Sequence, residues 1–493
     1  MNASGGRAGL FGLIMACGLW ATASAQPALG QPATAGKSDK RPNVILILSD
    51  DEDVAIHQFM PKTKALIADQ GAVFENYFTT YSLCCPSRAT TLRGQYSHNH
   101  RIQGNVLPSG GGHKFRTLGH DQSTIATWLH GAGYYTGLIG KYMNQYEPNE
   151  QTYIPPGWDE WYAAGHDYYE YVLNENGKHV RYGSKPEDYL TDVIARHTNA
   201  AIHRGSDSGK PFFFFVTPYA PHGPATAAPR HEHLFKDTPY PRPASFDEAD
   251  VSDKPAIIRD LPRLNADQIA WIEDMYRRRL RSLQAMDDLV EGIVTTLEQT
   301  GELDNTYIIY TSDNGWHMGE HRQQYGKTTA YEEDIRVPFV IRGPGVVKGT
   351  RVTQMVINND LAPTFADVAG VAPPSFVDGR SFLPLFTDPL QSWRQSFGIE
   401  RRQTETDGLT GAASFKALRT ADWTYVEYVT GECELYNLKT DPDQMANAAA
   451  TADPAFLAQL SQRTAEIANC AGDDCRRIED RPLVPAAKLV VRQ

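Results

Sequence analysis

Five short apolar runs constrain what this chain can fold into more than any other feature of its sequence. Residues 43–48 read Asn-Val-Ile-Leu-Ile-Leu, and comparable runs recur at 135–139, 212–216, 307–310 and 337–341. Runs this short and this apolar suit strands buried on both faces. Helical patterning lies between them. Its clearest instance places apolar side chains at Ile272, Tyr276, Leu280, Leu283, Met286, Val290, Ile293 and Leu297, with Gly301 positioned as a stop. The cluster Arg277-Arg278-Arg279 with Arg281 reads mostly as the solvated face of that helix, not as a nucleic-acid patch. Alternation of buried strands and helices predicts an α/β fold with a mostly parallel central sheet covered on both sides.

Polar clusters come just after four of the runs: Ser49-Asp50-Asp51, Gly140-Lys141, Pro221-His222-Gly223-Pro224 and Ser312-Asp313-Asn314-Gly315. In an open parallel sheet these positions form the carboxyl edge, where ligand sites are built. After Asp378-Gly379-Arg380-Ser381 the texture changes, and residues 413–438 read as short antiparallel strands joined by turns. The expected division is therefore a larger α/β domain over 42–391 and a smaller C-terminal α+β subdomain over 392–493.

The chain carries 47 Lys and Arg against 59 Asp and Glu, a formal charge of −12. That sign excludes a polyanion-binding surface over the whole molecule, so no nucleic-acid partner is expected and an anionic substrate must meet a local positive pocket. Near the N-terminus Arg7 precedes an apolar stretch over 8–21 and then Ala23-Ser24-Ala25 before Gln26. This pattern predicts a signal peptide over 1–25, cleaved after Ala25, followed by a flexible leader over 26–41. A rival reading makes Cys17 a lipidation site. No later segment approaches the roughly 18 uninterrupted apolar residues of a membrane span, so a periplasmic or secreted protein without membrane attachment is expected. Five cysteines follow the signal. Cys470 and Cys475 are spaced to close a small disulfide loop, while Cys85 and Cys433 read as simply buried.

The stretch Leu83-Cys84-Cys85-Pro86-Ser87-Arg88-Ala89-Thr90-Thr91-Leu92-Arg93-Gly94 is the most informative in the chain. Pro86 and Gly94 are suited to start and stop a short helix, which puts residue 84 at a helix N-terminus where backbone N–H groups favour an anion. The stretch resembles the signature of the formylglycine-dependent sulfatases, Cys-x-Pro-Ser-Arg followed by Leu-x-Gly. Only Cys84 has Pro, Ser and Arg at the required offsets. The double cysteine and Gly94-Gln95-Tyr96-Ser97-His98-Asn99-His100 look especially like the N-acetylglucosamine-6-sulfatase branch. Tyr331-Glu332, Arg336-Val337-Pro338, Arg342-Gly343-Pro344-Gly345 and Asp378-Gly379 extend the resemblance to about residue 445.

The resemblance implies an alkaline-phosphatase-like sandwich and a sulfuric ester hydrolase acting on a sulfated sugar, with the 6-sulfate of N-acetylglucosamine or glucosamine first. It implies that a maturation enzyme oxidises Cys84 to formylglycine. Asp50, Asp51, Asp313 and Asn314 offer only oxygen ligands, the set a hard cation requires, and the resemblance makes that ion Ca2+, with residue 84 completing the shell. Arg88 would orient residue 84, Lys141 and Lys327 would hold sulfate oxygens, and His222 would bind sulfate or assist the leaving group. His317 and His321 are pocket-lining candidates. The three carboxylates and the three cations Arg88, Lys141 and Lys327 cancel, so a bound calcium would leave the pocket at about +2. One departure stands out: where many sulfatases have a second histidine after this lysine, this chain has Asn144, and an amide cannot act as a titrating base. Alternative readings are an arylsulfatase, a phosphonate or phosphate ester hydrolase on the same scaffold, and a calcium-dependent glycan-binding protein that keeps Cys84 as a thiol.

Overall fold

The computed structural model describes residues 41–146, 152–402 and 413–483. The expected signal segment, the lipidation alternative and all of the leader but Arg41 lie outside the described residues. Four of the five apolar runs form the centre of a ten-stranded sheet: β1 (Asn43–Ser49), β2 (Tyr135–Lys141), β3 (Phe212–Thr217) and β4 (Thr306–Ser312) lie in the order β4-β1-β3-β2, all parallel. A fifth parallel strand, Glu160–Ala164, extends the sheet beyond β2, and the hairpin of Val172–Glu175 and Lys178–Arg181 adds an antiparallel edge. On the other side stand Phe339–Arg342, Ala72–Phe74 and Thr350–Val352.

The run at 337–341 forms a shorter strand shifted to Phe339–Arg342, and it pairs antiparallel with β4. Between the two the chain stays at the carboxyl edge of the sheet, where it builds a long loop instead of a crossover helix. It therefore re-enters from that same edge, which reverses its direction.

Strand residues alternate between two cores. Ile45, Ile47, Phe212, Phe214, Ile308 and Tyr310 face one side, and Val44, Leu46, Leu48, Phe213, Phe215 and Ile309 face the other. The helices that cover these faces include α1 (Cys84–Arg93), α2 (Leu190–Asp207) and α3 (Ala266–Thr300). α2 and α3 cover the first core, and α1 supplies Cys85, Ala89 and Leu92 to the second. α3 starts at a reciprocal cap in which Asn265 accepts from the Gln268 amide N–H and Gln268 accepts from that of Asn265, both at 2.9 Å, and it stops at Gly301 in the left-handed region. The basic cluster on it is not wholly a solvated face. Arg279 is buried, because it lies three residues after Tyr276 and four before Leu283, on the apolar stripe itself.

A second sheet of four antiparallel strands, Ser396–Arg401, Phe415–Thr420, Trp423–Tyr428 and Cys433–Asn437, follows. Its core includes Phe78, Tyr96, Ile335 and Ile357 from the larger part of the chain. Cys470 and Cys475 are joined in a disulfide. Cys85 is buried as expected, whereas Cys433 is only half-buried because it lies on an edge strand of this sheet.

Asp378 ties the disulfide loop to the segment after α1, accepting from the backbone N–H groups of Tyr96 (2.7 Å) and Gly472 (2.6 Å) and from Asn99 Nδ2 (2.8 Å). Burial pushes its carboxyl up to about 6 from the ordinary 3.8, against those three donors. The folded state thus holds this proton more tightly than the unfolded chain. The resulting stability is fully present below about pH 4 and is lost as pH rises through about 6, a term of at most about 3 kcal/mol. In chemical denaturation from pH 4 to 7, the wild type is expected to lose stability relative to Asp378→Asn across that window; parallel curves would contradict this.

Candidate active site

The register of the sheet brings the polar clusters together. Ser49 pairs with Ser312, so Asp50 and Asp313 leave the sheet side by side, and β2 ends on Lys141 itself. α1 starts at Cys84, two residues before the expected Pro86, and ends at Gly94 with φ 68°. A Cβ at Gly94 would meet Val377 at 2.9 Å and the Asn359 carbonyl at 3.2 Å, so helix end and packing both select glycine. Every residue of α1 is buried, which carries Arg88 into the interior beneath the strand ends.

Arg88 fixes three groups at once. Its Nε donates to Asp313 Oδ2 at 2.8 Å, Nη2 to Asp50 Oδ2 at 3.2 Å, and Nη1 to the Lys141 carbonyl at 2.8 Å. Lys141 Nζ also bonds Asp50 Oδ2. Burial alone would raise the Asp50 carboxyl, but Lys141, His222, Arg88 and Lys327 hold it well below the usual carboxylate range. Asp313 is shifted the other way, by burial and by the charge of Asp50.

Cys84 Sγ lies 3.6 Å from Asp50 Oδ1 and 2.9 Å from Lys327 Nζ, and Lys327 also bonds Asp51 Oδ1. Burial pushes the Cys84 thiol up to about 11, with Lys141 and Lys327 pulling it down and Asp50 and Asp313 adding to the rise. At neutral pH it is a protonated thiol and a weak nucleophile.

Ligand atoms of Asp50, Asp51, Cys84 and His222 all lie within 4.8 Å of one another. Asp313 is outside this group; its Oδ1 accepts from the Asp51 amide N–H at 3.2 Å and its Oδ2 takes Arg88. Asn314 Nδ2 donates to Asp51 Oδ1 at 2.6 Å. Asp51 Oδ2 and Asn314 Oδ1 are buried without a hydrogen-bond partner among the described residues, the contact from His222 Nε2 to Asp51 Oδ2 being 3.4 Å and long for a hydrogen bond. Orphaned oxygens on an aspartate and an asparagine, beside a second carboxylate, fit a hard divalent cation.

His222 accepts or donates at the rim. Its Nδ1 is 2.8 Å from the Gly223 carbonyl, which assigns the proton to Nδ1 and leaves Nε2 toward Asp51. His317 is braced by Asp334 at 2.8 Å and lines a cavity beside Lys327. His321 does not line it: bonded to Glu248 at 2.7 Å and stacked on Tyr331, its ring is drawn wholly inside.

Three site residues escaped the sequence reading. Tyr219 stacks on His222, with ring centres 4.6 Å apart, and lies 5.4 Å from Lys141 Nζ. His166 follows the strand Glu160–Ala164, whose last residue pairs with Lys141; its ring packs edge-on against Tyr219, and its buried Nε2 has no partner among the described residues. Burial, reinforced by Lys141, drives this imidazole down to about 3, so it is neutral at physiological pH. Arg279 donates to the Asp51 carbonyl and pairs with Asp53 at 2.8 Å, bracing the loop that carries two candidate ligands. Asn144 supplies its carbonyl to Gly112 at 2.7 Å, while its Oδ1 is buried without a partner among the described residues.

Residues 42–371 match the family model described as Sulfatase, and residues 319–469 match one described as N-sulphoglucosamine sulphohydrolase, C-terminal. The chain is 40% identical over 380 residues to the Extracellular sulfatase SULF-1 homolog of Drosophila melanogaster, covering 74% of this chain but only 34% of that protein. It is 36% identical over 478 residues to the N-acetylglucosamine-6-sulfatase of Homo sapiens, covering 89% of this chain and 86% of that one. A solved structure of BT4656 in complex with its substrate D-glucosamine-2-N,6-O-disulfate superposes with a TM-score of 0.76 at 26% identity, covering 89% of this chain and 99% of the other.

Replacing Arg279 by Met leaves Asp53 without its buried cation and the Asp51 carbonyl without its donor. The expected loss is about 3–5 kcal/mol of stability, measured by denaturant unfolding; a loss within about 0.5 kcal/mol, the size of an ordinary surface substitution, would contradict the bracing role.

Proposed function

Because this chain belongs to the sulfatase family, we propose that it is a calcium-dependent sulfuric ester hydrolase that removes the 6-sulfate of N-acetylglucosamine or glucosamine, with residue 84 acting as formylglycine. The observation that carries this reading is the contact set of residue 84. Its side chain stands at the start of a buried helix, between a carboxylate and an ammonium group, within 4.8 Å of a ligand atom of Asp51. A thiol pushed to about 11 has little use there as a nucleophile.

Residue 84 is the encoded cysteine in this structure, and its Sγ marks where the oxygens of the oxidised side chain would begin. Hydrated, that side chain supplies an oxygen nucleophile and a second hydroxyl that allows sulfate to leave without attack by water. Asp50, Asp51, Asp313 and Asn314, with residue 84, would hold calcium, which would supply the positive charge that the balanced carboxylates and cations lack.

The chain's own side chains do the rest. Lys327, 2.9 Å from Sγ, stabilises the deprotonated oxygen at residue 84. Arg88 holds Asp50 and Asp313 in place from below. Lys141 and Lys327 attract the sulfate oxygens. His222, its Nδ1–H fixed on the Gly223 carbonyl, would deliver a proton from Nε2 to the leaving sugar oxygen as the imidazolium, which carries a proton on both ring nitrogens. The similarity to an N-acetylglucosamine-6-sulfatase, and to a structure holding a 6-O-sulfated glucosamine, supports the choice of sugar.

The disulfide Cys470–Cys475 and the relatives named as extracellular support export to the periplasm or beyond, and oxidation of Cys84 would require a maturation enzyme. Among the described residues no helix is long and apolar enough to cross a membrane.

Release of sulfate from a panel of defined sulfated monosaccharides tests the reading. Sulfate is expected from the 6-position of an amino sugar, falling at least about a thousandfold in Cys84→Ala and sharply on chelation of calcium. Release only from other sugars would refute the substrate. Faster turnover of an aryl phosphonate diester than of the matching aryl sulfate would refute the reaction class.

A further inference from the structure

A row of aromatic side chains leaves the site and runs to the surface. The His222 ring lies 6.5 Å from that of Trp316; Trp316 stacks on Tyr325 at 5.9 Å with an interplanar angle of 18°; Tyr325 lies against Trp271 at 4.4 Å. Lys327 Nζ sits 5.7 Å from the centre of the Trp316 ring, so the row starts at a group that contacts residue 84. Local backbone explains the alignment. His317 and Gly326 exchange two backbone hydrogen bonds, at 2.9 and 3.1 Å, which sets Trp316 beside Tyr325 across a narrow arch. Gln324 of that arch accepts from Gln268 of α3 at 3.2 Å, and Trp271 is one turn further along the helix.

Beside the row lies a cavity of about 340 Å³, the size of a small-ligand pocket. Its lining includes Gln268, His317, Gln323, Tyr325 and Lys327 and, among the described residues, no carboxylate. In a chain of net charge −12 that is a local inversion. Tyr325 is 50% exposed, and the side-chain donors Trp316 Nε1 and Gln323 Nε2 are buried without an acceptor among the described residues. A single exposed tyrosine is ordinary. One that continues a stack from the reacting centre, beside a cavity whose lining includes His317, Arg322 and Lys327 and, among the described residues, no carboxylate, suits a ligand with an apolar face and acidic or hydroxyl edges. A pyranose ring in an anionic glycan has that shape: C–H groups on one face, hydroxyls and carboxylate or sulfate around the rim.

We propose that Trp316, Tyr325 and Trp271, with the cavity beside them, form a subsite for the sugar adjoining the sulfated one, so that the preferred substrate is an anionic oligosaccharide and not a free monosaccharide. This rests on the sulfatase reading above and extends it from the sulfated ring to its neighbour.

The test compares kcat/KM for 6-sulfated N-acetylglucosamine and for an acidic tetrasaccharide carrying the same sulfated residue, in wild type, Tyr325→Ala and Tyr325→Phe. Wild type is expected to favour the tetrasaccharide by about tenfold, the size of one good aromatic contact. Tyr325→Ala is expected to remove that preference through KM, leaving the monosaccharide within about twofold, and Tyr325→Phe to restore most of it. Sulfate release with no chain-length preference, or an equal loss on both substrates in Tyr325→Ala, overturns the subsite alone. No sulfate release from either substrate by calcium-loaded, formylglycine-containing wild type overturns the sulfatase reading, and the subsite with it.

Discussion

A guanidinium buried between two buried carboxylates is the interaction on which the rest of this structure depends. Arg88 reaches up from α1 and grips Asp313 and Asp50, at the ends of the neighbouring strands β4 and β1. Taking such charges out of water costs several kcal/mol per ion, and only close pairing with further hydrogen bonds offsets it. The chain meets that condition by giving Asp50 a second cation in Lys141 and by giving Arg88 the Lys141 carbonyl, so that one helix and three strand ends become a single charged framework. Strand order follows the same requirement, because β4-β1-β3-β2 is what sets Asp313, Asp50 and Lys141 around one guanidinium.

From this framework the chemistry follows by position. The carboxyl edge of a parallel sheet gathers side chains from segments far apart in sequence: Asp51 and Lys327, bonded to each other, are 276 residues apart. The long loop after β4 stays at this edge, supplying Asn314, Lys327 and the aromatic arch. That the next strand returns antiparallel is the topological mark of the same loop. Residue 84, at the first turn of α1, is held from below by the helix that carries Arg88 and from above by Lys327.

Asp50, Asp51, Lys141, His222, Asp313 and Asn314 were legible in the sequence because each lies at or just past the end of a run apolar enough to be a buried strand. The register then did what spacing could not, placing Ser49 opposite Ser312 and so Asp50 beside Asp313. Arg279 was misread because a run of arginines looks solvated, although its spacing from Tyr276 and Leu283 already put it on the apolar stripe. His166 and Tyr219 carried no local signal. The strand before His166, Glu-Trp-Tyr-Ala-Ala, lacks the β-branched runs that mark its neighbours, and its place beside β2 exists only in the folded sheet. Trp316, Tyr325 and Trp271 come from a loop and a distant helix, so their stacking is a property of tertiary structure alone.

On the proposed function, the oxygen-rich, charge-balanced setting of residue 84 serves an aldehyde and not a thiol. Peptide mass spectrometry across Leu83 to Arg88, on protein purified in active form from its native host, tests it most directly. Residue 84 is expected with the mass of the aldehyde or its hydrate in the active fraction. An active fraction in which residue 84 is uniformly a cysteine thiol would contradict it.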